Sequence, residues 1–523
     1  MADNARDRLT ADARTVCDIV RTTLGPFGAN KLVIGAEGTV TTTSSGSLVL
    51  DRLDIDNPAV SLLKTAASDF RKTEGDGAST LVALTGALLD EASRLSEMGL
   101  HPTVIERGFR EAVTVACDHL DQQARPLSTV GVEAVARTAL TGTRNPNTRH
   151  QLGNYLARVV DAVAQGGEFD PSMVKVSSRL GGAEAETELV AGVVLDRDPA
   201  AEGMPRSLHD TGVAVLTDTV DIPRYGGERS RTDTRLSLSV EGFEDRAAFA
   251  DQEREAFRDQ LAAAVDAGCR FIVTGMAIND SVKRDLANAG VLAVQRVDDA
   301  DLPRIARVTG ATIVPSLGEL TEETLGTANV GLTRRAGRDL IVVEADANPV
   351  FTLFCRAPDE RSVAAFERSV ESALAAVGRA QSSGTVVAGG GAVEMSASKA
   401  VRDHARSVAG AEQLAIEAFG DALADIPRSL AVNGGMDGWR SVIRLRVATH
   451  EGRTTTGIDC IYGEIRDVLE SDPIVEPADL KRDVWTGATD LAAQLVRIDA
   501  ELEANDLSKD TPPKRADEFG IEG

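Results

Sequence analysis

The segment Gly75-Asp76-Gly77-Ala78-Ser79-Thr80 concentrates residue types suited to binding phosphate. Its glycines let backbone N–H groups converge on an anion, and a helical pattern opening near Ser79 adds the partial positive charge of a helix N-terminus. Asp76 offers the oxygen ligand that Mg²⁺ takes beside phosphates. Taken alone, the same pattern also reads as a helix N-cap with turn glycines. A second run, Gly389-Gly390-Gly391, follows the apolar Thr385-Val386-Val387-Ala388 and precedes a helical pattern. It permits close approach of a ligand, or simply a flexible turn.

Other chemistries find less support. No G-x-x-x-x-G-K-[S/T] occurs, which excludes a P-loop NTPase, and no G-x-G-x-x-G follows a first strand, which disfavours a dinucleotide enzyme. The five cysteines (17, 117, 269, 355, 460) are odd in number and scattered, with no C-x-x-C, and the six histidines show no H-x-x-x-H. They read as free thiols and isolated imidazoles, so Asp, Glu and backbone must carry any metal.

The elements that must position these loops follow from hydrophobic period. Leu9, Ala13, Val16, Cys17 and Val20 form a helical stripe that Leu24-Gly25-Pro26 terminates. Residues 31–34 and 39–43 flank a glycine turn and predict a hairpin. Long helices are predicted from Ser79 to about Met98 and from about Pro102 to Ala124, with further helix from about 130 to 165. Strand patterns follow at 174–176 and 189–195. Between 199 and 353 short strands (213–216, 271–273, 293–294, 312–314, 340–343) alternate with helix, as at 246–267, which predicts an α/β unit in mid-chain. Helices return at 361–380 and dominate to about 504. The order helical, mixed, α/β, mixed, helical suggests nested insertion, so the expected fold class is multidomain α and α/β. The tail 505–523, with Pro512-Pro513, is expected to be disordered.

With 523 residues, several cores are expected. A formal charge of −25 argues against nucleic-acid and anionic-membrane partners. No run of 18 apolar residues predicts a membrane span, and the first residues lack a signal peptide's apolar stretch, so a cytoplasmic protein is expected. Arginine outnumbers lysine on this acidic chain, the composition that a halophilic, high-salt cytoplasm tolerates by screening self-repulsion.

Taken in order, the motifs resemble those of group II chaperonins, the archaeal thermosome type, over nearly the whole chain. The carriers are Arg21-Thr22-Thr23-Leu24-Gly25-Pro26, the Gly75–Thr80 loop, Thr138–Gly142 and Gly290–Val297. Val386–Glu394, Ile426–Ala431 and Val475-Glu476-Pro477 complete the series. The resemblance implies a chaperonin fold with a helical equatorial nucleotide-binding domain (1–130 and 386–504) and a mixed intermediate domain (131–198 and 354–385). An inserted α/β apical domain (199–353) would bear a helical protrusion at 239–256, where Phe243 and Phe249 are candidates for exposed apolar contact. It also implies ATP and Mg²⁺, with K⁺ as a further candidate ion, and protein-folding activity on unfolded clients. Partner subunits would be itself or paralogues, in a double ring of eight or nine per ring. Carried over by motif, Leu24, Gly25, Pro26, Gly46, Gly77, Ala78, Ser79, Thr80, Gly389 and Gly390 would bind nucleotide. Asp76 would hold Mg²⁺, and Glu476 would meet the ribose hydroxyls.

Three departures fall on the chemistry. The family's Thr-Asn-Asp-Gly-Ala is here Thr43-Ser44-Ser45-Gly46-Ser47, and its Glu-Arg-Ser-x-His-Asp-Ala-Leu is Glu367-Arg368-Ser369-Val370-Glu371-Ser372-Ala373-Leu374. Ser45 and Ser372 thus occupy the positions of two expected catalytic aspartates, and Ala78 replaces a threonine of the phosphate loop. A serine is a poor general base, and loss of an acid–base group costs on the order of 10²–10⁴ in rate. Glu371 lies one position before Ser372, about 100° around a helix, and is expected to point away. The chain also starts close to its first helix, which puts in doubt the ring contacts that a preceding strand would make.

Overall fold

The computed structural model describes residues 2–34, 40–43, 45–143, 145–164, 169–222, 243–345 and 349–498. Residues 239–242 of the expected protrusion, the side chains of Phe243 and Phe249, and the tail 505–523 lie outside the described residues.

Three large apolar clusters organise the chain. The first draws on residues 13–120 and again on 387–496, so both ends of the sequence build one core. Its helices are Ala2–Arg21, Pro58–Glu74, Ala78–Glu97, Pro102–Gln123, Ala392–Ala405, Glu412–Asn433 and Ala478–Val496. The expected stripe of the first helix is buried at Ala13, Val16, Cys17 and Val20. Antiparallel strands Lys31–Ile34 and Val40–Thr43 form the expected hairpin.

The second cluster spans 173–350 and packs against a seven-stranded sheet. Strand Ser207–Leu216 runs parallel to Cys269–Thr274 and Ile313–Val314, and Leu292–Val294 continues the parallel side. On the other side lies an antiparallel hairpin, Gly326–Arg335 with Arg338–Glu344, whose two-residue turn puts Ala336 and Gly337 at positive φ. Such mirror-image turns match strand twist and normally select Asn-Gly.

The third cluster joins 127–174 to 353–386 and reaches Val475. Two small sheets tie these segments together. Val174–Leu180 pairs in parallel with Phe351–Ala357 across the intervening chain that holds the seven-stranded sheet, and Thr385–Ala388 lies between Val475–Pro477 and Arg125–Pro126.

Candidate functional site

The phosphate-type loop is built by two helix ends. Helix Pro58–Glu74 stops at Gly75, which takes φ 76° and donates its N–H to the Arg71 carbonyl at 2.9 Å. Helix Ala78–Glu97 then starts from Gly77 at φ 85°, with no side-chain cap. The first N–H groups of a helix have no acceptor within it, so an uncapped start is an anion site by default. Gly75 is also a packing requirement. A Cβ there would lie 2.4 Å from the Ala375 Cβ of the long helix Glu360–Ser383, which therefore presses directly on the loop.

A cavity of about 580 Å³ opens over this loop, within the ordinary range for a small-molecule site. Leu24, Gly25 and Pro26 line it, as do Ser45, Asp76, Gly77, Ala78, Ser79, Thr80, Ser372, Gly390 and Glu476. Leu24 and Glu476, 452 positions apart in sequence, thus border one cavity. Gly46 and Gly389 do not line it but pack immediately behind. A Cβ on Gly46 would meet the Ser79 Oγ at 2.7 Å, and one on Gly389 would meet the Glu476 Oε1 at 3.1 Å. Gly390 permits close approach of the strand Thr456–Asp459: at φ 60° a Cβ there would sit 2.5 Å from the Ile458 carbonyl oxygen.

Ser45 belongs to a hydroxyl chain. Its N–H donates to Thr43 Oγ1 at 3.0 Å, its Oγ lies 3.1 Å from Ser47 Oγ, and Arg71 donates to that Ser47 oxygen at 3.3 Å. Arg71 also pairs with Asp51 at 3.2 Å. Where the resemblance expects a carboxylate, the wall thus presents hydroxyls and a guanidinium.

The electrostatics are those of a desolvated cleft. Burial pushes the Asp76 carboxyl above its ordinary value, against the Gly77 N–H and the Lys481 charge that favour the anion. Burial likewise raises Glu476, opposed by Lys481 and reinforced by Glu394 and Asp76. Lys481 lies 2.8 Å from Glu476 and is hydrogen-bonded to Glu394, so its charge is already shared. Asp76 therefore has no dedicated cation, and among the described residues no group of three His, Cys, Asp or Glu could form a metal cage. That donor set suits Mg²⁺, which is commonly held by one or two carboxylates plus phosphate oxygens and water.

Several wall residues were not singled out from the sequence. Arg71, Arg137, Arg149 and Lys481 are among them. Arg137 pairs with Glu133 and, at 3.0 Å, with Asp472, tying the helix Val132–Ala139 to the loop before Val475. Lys481 carried a usable signal, since it lies on the same helical stripe as the buried Val484, Trp485, Ala488 and Ala492. A cation on a buried stripe demands a carboxylate partner.

Glu371 departs from expectation. Arg368, Ser369, Ser372 and Ala376 line the cavity from the long helix, while Leu374, Ala375, Gly378 and Ser382 line a neighbouring cleft of about 690 Å³. Glu371 lines both. A rotation of 100° from Ser372 does not remove it from the cavity, because the two clefts meet along that edge.

The chain matches the model of the TCP-1/cpn60 chaperonin family over residues 16–506, and it belongs to that family. It is 36% identical over 506 residues to a thermosome subunit of Methanopyrus kandleri, covering 95% of this chain and 91% of that protein. It is 34% identical to thermosome subunit alpha of Halobacterium salinarum, covering 97% of this chain and 90% of that protein. Thermosome subunit 1 of Haloferax volcanii is also 34% identical, with 98% and 90% covered.

Proposed function

We propose that this chain is a chaperonin subunit that binds MgATP in the cavity over Gly75–Thr80 and assists the folding of non-native proteins within a double ring. The observation that carries the reading is convergence. The loop, Leu24–Pro26, Gly390 and Glu476 all line one cavity. In it, the uncapped helix start and Ser79 and Thr80 would hold phosphate oxygens, Asp76 would hold Mg²⁺, and Glu476 would meet the ribose. Mg²⁺ there would neutralise charge on the phosphate oxygens and organise them for displacement.

The domain reading that accompanies this function assigns the first apolar core to an equatorial domain, the third to an intermediate domain and the second to an apical domain. It is supported by the strand pairings that close the chain around residues 199–353. Assembly with itself or with paralogues is supported by exposed apolar side chains. Trp439, Ile443 and Val447 project at i, i+4 and i+8 from the helix Gly438–His450, and Leu32 and Ile34 from the hairpin. Among the described residues no helix is long and apolar enough to cross a membrane. A cytoplasm at high salt is the setting that the acidic composition favours.

A second reading has a specific observation behind it. Ser45 and Ser372 both face the cavity where the resemblance expects aspartates. A subunit of this kind would bind nucleotide without turnover and serve as a ring spacer or holdase. The test is the purified full-length protein in molar KCl. MgATP binding by calorimetry, a double ring by electron microscopy, and ATP-dependent protection of a heat-denatured client are expected. Absence of MgATP binding refutes both readings. Binding and ring assembly without phosphate release selects the second.

A further inference from the structure

We propose that Glu371 is the general base of this site, a carboxylate one position removed from the serine at the expected place. The inference rests on the reading of the cavity as a MgATP site. Five acidic residues line the cavity: Asp76, Glu371, Asp459, Asp472 and Glu476. Three are committed to cations. Asp459 is almost fully buried, accepts from Arg466 at 2.9 Å, and also takes the Ile461 N–H at 2.9 Å and the Tyr462 N–H at 3.2 Å. Asp472 pairs with Arg137, and Glu476 with Lys481. Asp76 sits inside the Gly75–Thr80 loop and is the residue that would hold Mg²⁺. Glu371 alone remains. Among the described residues no hydrogen bond or ion pair closes on its carboxylate, so its lone pairs are available to a water.

Its position relative to the phosphates follows from the helix. Ala375 is one turn beyond Glu371 on the same face and is the residue that presses on Gly75. Side chains on a helix tilt toward its N-terminus, so Glu371 overhangs the space one turn, about 5.4 Å, along the axis from the loop contact. Ser372 stands in the equivalent relation to Ala376, which lines the cavity, whereas Ala375 lines the neighbouring cleft and Glu371 borders both. The two positions therefore address the same space from adjacent edges of one helix. The longer glutamate side chain compensates for its sideways start. Burial and the neighbouring Glu367 raise the Glu371 carboxyl above its ordinary value, against Arg368, which strengthens it as a base.

In the step, the carboxylate of Glu371 takes one proton from a water. The water oxygen forms a bond to the γ-phosphorus while the bond from that phosphorus to the bridging oxygen breaks. The products are ADP, with the bridging electron pair, and hydrogen phosphate. Glu371 then returns the proton to solvent.

The test uses the full-length assembled protein with MgATP in molar KCl, measuring phosphate release and, separately, MgATP affinity. Glu371→Gln is expected to lower kcat by about 10²–10⁴ while affinity changes less than about threefold. Ring assembly, checked by electron microscopy, accompanies each measurement. If the Gln variant does not assemble, Glu371→Asp replaces it, with an intermediate loss of kcat expected at unchanged affinity. Turnover in either variant equal to wild type overturns the proposal. So does a wild type that binds MgATP and releases no phosphate. A wild type that fails to bind MgATP overturns the reading of the cavity itself, a result separable from either of those.

Discussion

Replacing Lys481 with methionine removes the one cation buried between Glu394 and Glu476 and keeps most of the aliphatic stem. Lys481 is 4% exposed and Glu394 is fully buried, with one carboxylate oxygen lacking any hydrogen-bond partner. Burial pulls the Lys481 ammonium down, but Glu394 and Glu476 together hold it above its ordinary value. Its charge therefore persists across pH 5–9, and its own stabilisation fades only as pH rises through that raised value. In the variant Glu394 is left buried without its cation, which costs about 3–5 kcal/mol, so we expect a stability loss of about that size at pH 7. Urea unfolding followed by Trp485 fluorescence reads this directly, because Trp485 is fully buried one turn along the same helix. Adding Glu394→Gln should recover at least about 2 kcal/mol, since the stranded charge is then gone. A loss below about 1 kcal/mol at pH 7 refutes the argument that this triad is bound by charge.

Three other outcomes follow from the same geometry. Gly75→Ala places a methyl 2.4 Å from Ala375 at a positive φ, so a stability loss of about 1–3 kcal/mol and weaker MgATP binding are expected in unfolding and calorimetry; unchanged affinity would show that the loop need not touch the long helix. Asp76→Asn should stabilise the nucleotide-free protein at pH 7. A carboxyl raised in the folded state contributes stability that is present below the unfolded value and lost as pH rises through the folded one, so the advantage of Asn must vanish toward pH 4. An advantage that grows on acidification has the wrong sign. Cys460 lines the cavity and its thiol is pushed up to about 11 by burial and Asp459. Its alkylation at pH 8 should run about a hundredfold slower than that of a free thiol, and MgATP should slow it further; labelling insensitive to nucleotide places the ligand elsewhere.

What the sequence discloses here depends on how local each feature is. The Gly75–Thr80 loop was legible because a glycine at positive φ and a helix start are adjacent in the chain. Helix Pro58–Glu74 carries equally local signals, Asn57 accepting from the Ala59 N–H at 2.8 Å and Pro58 in the first turn, yet it went unread beside the stronger patterns that follow. The turn Ala336-Gly337 was illegible for a different reason. An alanine at φ 50° is stabilised by the strands it joins, not by its own preference. Strand Phe351–Ala357 has no alternating pattern because it is covered on both sides. Glu394 and Lys481 stand 87 positions apart, and only the fold pairs them.

Ser45 and Ser372 became visible through resemblance alone, and both line the cavity. The loop side of the cavity offers backbone N–H groups, Asp76 and glycines, whose geometry is fixed by helix ends and close packing. Side-chain substitution can hardly alter it without disturbing the core. Ser372 instead lies on the flank of the long helix, where each position offers only its side chain, and a change there leaves the backbone intact. On the proposed reading, nucleotide binding is thus tied to folding while proton transfer is not. The same helix presents residues 371 and 372 on neighbouring edges, both bordering the cavity. In the proposed step the carboxylate of Glu371 serves the space that Ser372 borders, at the cost of the geometry that an aspartate at position 372 would supply.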